Sequence, residues 1–66
     1  MFQQRELNPK YDWIPCSIRN PKEYGKYLVT CEDTDIVQIR LFEGEWDSIK
    51  KVIAWKILPE KYKGDV

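Results

Sequence analysis

The chain contains no histidine. That removes imidazole as a general base, proton shuttle or metal ligand. It holds two cysteines, Cys16 and Cys31. One pair is not a disulfide framework, and both fall in strand-like segments, where they read as small buried hydrophobes. Neither sign of charge is in excess, with eleven basic and eleven acidic residues. A dedicated nucleic-acid binder carries surplus Lys and Arg, because phosphate neutralisation dominates that affinity, so broad nucleic-acid binding is not expected. Long hydrophobic runs are missing too. No stretch approaches the ~20 apolar residues of a membrane span, and the start lacks the apolar segment of a secretory leader. A cytoplasmic location is the expectation. No phosphate-cradling glycine loop or catalytic constellation is present, which points to a protein that is not an enzyme and uses no cofactor or metal.

What the chain does have is aromatic mass. Its 66 residues include three Trp, four Tyr and two Phe, 14% in all. Ordering a chain of this length costs on the order of 100 kcal/mol of conformational entropy. Each aromatic buries roughly 150–250 Å², enough to make one small folded domain feasible. With 33% charged and 42% hydrophobic residues, the composition is that of a globular rather than a disordered chain.

The stretch Ile36 to Trp46 is the clearest pattern. Val37, Ile39 and Leu41 alternate with Gln38 and Arg40, which predicts a strand with the first three on the core face. The turn after it has two readings. A two-residue Glu43-Gly44 loop pairs Leu41 with Trp46 and puts Trp46 on that core face. A Phe42-Glu43-Gly44 loop, with Gly44 left-handed, moves Trp46 to the face of Arg40. The first is favoured because an exposed Trp is uncommon.

Three further segments complete the expected domain. Trp13 to Ser17 carries Pro15, which cannot donate to a sheet ladder, so an edge strand or extended strap is expected, anchored by an inward Trp13. Lys26 to Glu32 reads as a strand with Tyr27, Val29 and Cys31 on one face and Leu28 and Thr30 on the other; apolar groups on both suggest a central position, or a second face covered by the N-terminal segment. Asp33-Thr34-Asp35 supplies a turn. Val52 to Leu58 reads as the last strand, with Ile53, Trp55 and Ile57 on one face, ended by Pro59. Residues 1–10 read as an extension in which Phe2 and Leu7 are able to dock, 11–60 as the domain, and 61–66 as a tail. The predicted fold is mainly β: an antiparallel meander of about four strands with an extended N-terminal edge segment and little helix.

Two bookends frame this domain. Trp13-Ile14-Pro15, Ser17, Pro21 and Gly25 precede Tyr27-Leu28-Val29, and Val52, Trp55, Leu58 and Pro59 close it, with Gly44 and Trp46 between. This order resembles the domain-of-unknown-function family 551, short proteins found mostly in bacteriophages and prophages. The family commonly has Leu where Asn20 stands, and ends His-Trp-Met-Pro-Leu-Pro where this chain has Ala54-Trp55-Lys56-Ile57-Leu58-Pro59. The resemblance implies a phage-type origin and a small sheet; it implies no chemistry.

Candidate sites are correspondingly few. Glu32, Asp33 and Asp35 sit at one turn, and Glu43, Glu45 and Asp47 at the other. Turn-tip carboxylates are solvated and lack the burial that shifts a pKa for acid–base work; Asp33 and Asp35 are able to bind Ca²⁺ weakly, but EF-hand-like spacing is missing. Arg19, Arg40 and Phe42, joined by Trp46 in the second loop reading, form a cationic-aromatic set suited to a phosphate, a base or a protein partner. Tyr24 and Tyr62 are candidate interface anchors. The leading expectation is a phage-type accessory protein that binds a host or phage macromolecule, a host-defence component among them. The alternatives are an oligomer that sequesters a nucleotide-like ligand through Arg19, Arg40 and an aromatic, and a structural part of a phage assembly. Open sheet edges invite pairing, so a homodimer through an edge strand fits each reading.

Overall fold

The computed structural model describes residues 6–60 and 64. Among these there is no helix, and so none long and apolar enough to cross a membrane. Four strands form one antiparallel sheet: β1 (Ile14–Pro15), β2 (Gly25–Cys31), β3 (Gln38–Phe42) and β4 (Val52–Ile57). The mainly-β class is as expected. The connectivity is not a plain meander, because the spatial order is β1-β4-β2-β3. β2 and β3 form the hairpin, and the chain then returns across it so that β4 lies beside β2. β2 is therefore an interior strand, flanked by β4 and β3.

One face of the sheet carries the core: Ile14, Val29, Cys31, Phe42, Val52 and Trp55 are all buried. Register explains the set. Val29 lies opposite Trp55 on one side and Gln38 on the other, Ile14 lies opposite Trp55, and Gly25 lies opposite Phe42. The covering layer is irregular chain. Arg19 in the loop after β1 and Ser48 in the segment after β3 both reach it: the Trp55 indole N–H donates to the Arg19 carbonyl at 2.9 Å, and Cys31 Sγ lies 3.7 Å from Ser48 Oγ. Tyr27 stands edge-on to Trp46 and Trp55, at centroid separations of 6.0 and 5.3 Å. Leu7 and Cys16 pack against the same cluster.

This arrangement corrects the expected core face of β3. Val37 and Ile39 are about half exposed, at 51% and 53%, and Phe42 is 5% exposed. Alternation within β3 was read correctly but its direction was not. Pairing Tyr27 with Arg40 and Val29 with Gln38 puts the polar positions on the covered side. Arg40 tolerates this because it lies on an edge strand, is exposed, and donates to Gln38 Oε1.

The turn after β3 resolves in a third way. Phe42 bridges Trp46 across Glu43-Gly44-Glu45, with Gly44 at φ 84°. Trp46 thus shares the face of Phe42 and Arg40, and that is the core face. It packs against Phe42 at 4.9 Å between centroids. Trp46 is inward as expected, but the favoured Leu41–Trp46 pairing does not form: Trp46 lies on the face of Arg40, as in the second reading, and that face is the covered one.

Two smaller corrections concern β1 and β4. Ile14, not Trp13, is the buried residue of the first segment, while half-buried Trp13 lies under the Lys56 ammonium. In β4, Cys31 lies opposite Val52 but Thr30 opposite Ala54, so one residue is extra. This bulge lets Val52 and Trp55 both face the core and leaves Ile53, the extra residue, exposed; Ile57 keeps the core-side parity of Trp55, opposite Tyr27, but ends the strand and is partly exposed. Leu7 and Pro9 also belong to the folded unit: the Pro9 carbonyl accepts from the Ile57 N–H and the Leu7 carbonyl from Arg19 Nη2.

Candidate binding surface

The predicted site residues do not converge. Arg19 is half-buried; its guanidinium is tied to Leu7 and its carbonyl to Trp55. It lines a shallow groove with Pro9, Lys22, Glu23 and Ile57. Arg40 is on β3, with β2 between it and β4. Phe42 is buried beneath Tyr24, whose ring stands edge-on at 6.3 Å, and Tyr24 is largely exposed. The hairpin does bring Tyr24, Phe42 and Trp46 into one aromatic row. Tyr62 and Phe2 lie outside the described residues.

The turn carboxylates remain at the surface. Glu32, Asp33, Asp35, Glu43, Glu45 and Asp47 are all exposed. Asp33 takes a left-handed conformation, φ 61°, which an Asp tolerates in a turn, and Thr34 Oγ1 donates to the Cys31 carbonyl to close it. Among the described residues, no group of three or more His, Cys, Asp or Glu is placed to hold a metal ion.

Two groups have perturbed acidity. Burial raises the Cys16 thiol above its ordinary value; the Trp46 indole and the Lys51 charge pull it back in part, and Cys31 pushes it up again. The Trp46 Nε1–H itself is buried and makes no hydrogen bond of regular geometry, so its influence on Cys16 is that of a nearby N–H dipole. Tyr27 is raised by burial first and by Glu23 second, and its hydroxyl donates to the Glu23 carbonyl at 2.8 Å. Neither group is a prepared nucleophile, because a raised pKa keeps the inert protonated form.

The surface that stands out was not singled out from the sequence. The second face of the sheet carries Leu28, Ile39, Leu41 and Ala54 at neighbouring register positions, with Val37 next to them. Leu28 is only half-buried although it sits at the centre of the sheet, whereas Val29, its neighbour on the other face, is fully buried. Among the described residues no layer lies over this side. Lys26 and Lys56 flank the apolar strip, and Lys56 reaches Trp13. The signal in the sequence was the second apolar face of β2, Leu28 with Ala54. It lacked the strand order needed to place them together.

No family model matches the chain, and no curated protein or solved structure matches it.

Proposed function

We propose that this is a non-enzymatic, phage-type accessory protein that acts in the host cytoplasm by binding another protein, and that it self-associates to do so. One observation carries the reading: the open sheet face formed by Leu28, Ile39, Leu41 and Ala54 between Lys26 and Lys56. A sheet ordinarily buries one apolar face per layer, and an apolar second face left uncovered in a domain this small marks a surface with an occupant. The likeness to the domain-of-unknown-function family 551 supports the phage origin, and a host-defence component or another phage protein is the class of partner it suggests.

The test is affinity capture from host lysate with wild type and with Leu28→Lys, which charges the centre of the open face without touching the core side. The expected result is a partner retained by wild type and lost, by at least about tenfold, in Leu28→Lys, with circular dichroism unchanged. Capture of nothing but the protein itself, or equal capture by both, overturns the reading.

A further inference from the structure

The two edges of the sheet are treated differently. On the β4 side the outward backbone groups are taken: the Ile57 N–H donates to the Pro9 carbonyl, the Ile53 carbonyl accepts from the Cys16 N–H, and β1 pairs at Trp55. Two prolines stand on that side, Pro9 and Pro15. On the β3 side only one end is closed, where the Asp47 N–H donates to the Leu41 carbonyl. Since Leu41 faces outward, alternation turns Ile39 outward as well, while Gln38, Arg40 and Phe42 face β2; Val37 stands one residue before the strand, and continuing the alternation would turn it outward too. Among the described residues nothing pairs with the outward groups of Val37 and Ile39.

That open edge is also apolar. Ile36 is 70% exposed, beside half-exposed Val37 and Ile39. Between Ile36 and Phe42 there is no proline, lysine or bulge to protect the edge from pairing; the one charge in the stretch is Arg40, on the Val29 face and bonded to Gln38.

We infer that this edge is the seat of a symmetric dimer, in which β3 pairs antiparallel with β3 of a second copy about a two-fold axis at Gln38. This rests on the self-association in the reading above, not on its foreign partner. The register follows from what is free. With the axis at Gln38, Val37 of each chain lies opposite Ile39 of the other, and the two residues exchange backbone hydrogen bonds, four in all by the ladder pattern. An axis at Ile39 would instead need the Leu41 carbonyl, which Asp47 already occupies. Side chains match in the chosen register. Val37 meets Ile39 on the open face, and Gln38 meets Gln38 on the other, with Ile36 beside the aliphatic stem of Arg40. Within the strand, antiparallel pairing keeps the two Arg40 side chains apart, whereas parallel pairing would stack Arg40 on Arg40 and Asp35 on Asp35; beyond the strand, the exposed turn carboxylates Asp33 and Glu43 come opposite each other at both ends. The dimer makes one eight-stranded sheet and joins the two open faces into a single surface twice as wide.

Sedimentation equilibrium of the full chain tests this. An edge this short buries less than a standard interface, so half-association is expected at roughly 10–100 µM. The apparent mass should rise with concentration toward twice the 8.0 kDa of one chain. Val37→Pro removes an outward N–H and leaves the β2 ladder intact; it should hold the chain at single mass with an unchanged circular dichroism spectrum. Gln38→Cys places two thiols across the axis at non-hydrogen-bonded positions, where Cβ atoms approach about 4.5–5.5 Å, and should give a covalent dimer under mild oxidation. Arg40→Cys and wild type should give at least about tenfold less, because the 40 positions lie apart in this register. A single-chain mass at all concentrations overturns the inference, as does a dimer that survives Val37→Pro and fails to cross-link at Gln38→Cys. A monomer that still captures a Leu28-dependent partner removes the dimer and spares the binding reading; a dimer that captures nothing does the reverse.

Discussion

The Trp55 indole N–H donates to the carbonyl of Arg19 at 2.9 Å, joining the last strand to a loop 36 residues earlier. The bond is partly buried and pins the loop that covers the core face. Trp55 is also the hub of the packing: it lies opposite Ile14 on one side and Val29 on the other, with Tyr27 edge-on to its ring. Trp55→Phe keeps most of the ring volume and removes the donor, so a loss of about 1–3 kcal/mol is expected, leaving the Arg19 carbonyl unpaired. Denaturant melts give the magnitude, and hydrogen exchange should show faster opening in residues 16–24 than in β2. Uniform acceleration of both would argue against the loop being held by this bond.

The core assignment of β3 makes a direct comparison available. Phe42→Ala should cost about 3–5 kcal/mol, close to the whole stability expected of a 66-residue domain. Ile39→Ala should cost about 0.5 kcal/mol or less, because Ile39 is half exposed and on the uncovered face. Thermal melts decide this at low protein concentration, where self-association does not contribute. Equal losses would mean that both faces of β3 are buried in solution.

Gly44 holds φ 84° in the loop that lets Phe42 bridge Trp46. A Cβ there meets only the Tyr24 hydroxyl, at 3.5 Å, so the cost of Gly44→Ala is conformational rather than steric crowding. About 1–2 kcal/mol is expected from the left-handed backbone. Trp46 fluorescence should shift if the loop relaxes by changing register; Gly44→Asn, which tolerates this conformation better, should recover part of the loss.

Alkaline pH should destabilise the fold. Cys16 and Tyr27 ionise from neutral to anionic, and folding raises both pKa values from 9.0 and 10.0, mainly by burial. Between the unfolded and folded values the native state binds more protons than the unfolded state, so stability is full below about pH 9 and falls as pH rises through the shifted values. The melting temperature measured from pH 7 to 11 should decline above pH 9. Cys16→Ala and Tyr27→Phe together should flatten that decline. Cys16 should also alkylate more slowly at pH 8 than a free thiol of ordinary acidity.

Much of the architecture was legible in the residues. Turn chemistry at Asp33–Asp35 and Gly44, and alternation through Val29 and through Ile39, located the hairpin strands to within two residues. The bulge in β4 was not legible. Val52 and Trp55 are an odd number apart, and simple alternation cannot put both on one face; only the shift opposite Thr30 and Cys31 does so. Of the candidate binding residues, Arg19 and Tyr24 were placed near surface features, while Phe42 went inside. The open face was missed because Leu28, Ile39 and Ala54 come from three strands, and nothing local says that those strands are neighbours.

The amino-acid sequence by itself determined what this protein lacks and what it is made of. It rules out imidazole chemistry, permits a small aromatic core, and spells out strands whose period of two is a local backbone property. The tertiary structure decided which side of each strand is inside. That choice depends on strand order: with β4 beside β2, the face bearing Val29 receives Trp55, Ile14 and the covering loops, and the face bearing Leu28 receives, among the described residues, only the Trp13 ring held against Lys56 at its β4 side. A period of two states that the faces differ. Only pairing across the sheet, set by residues far apart in the chain, states which one is buried.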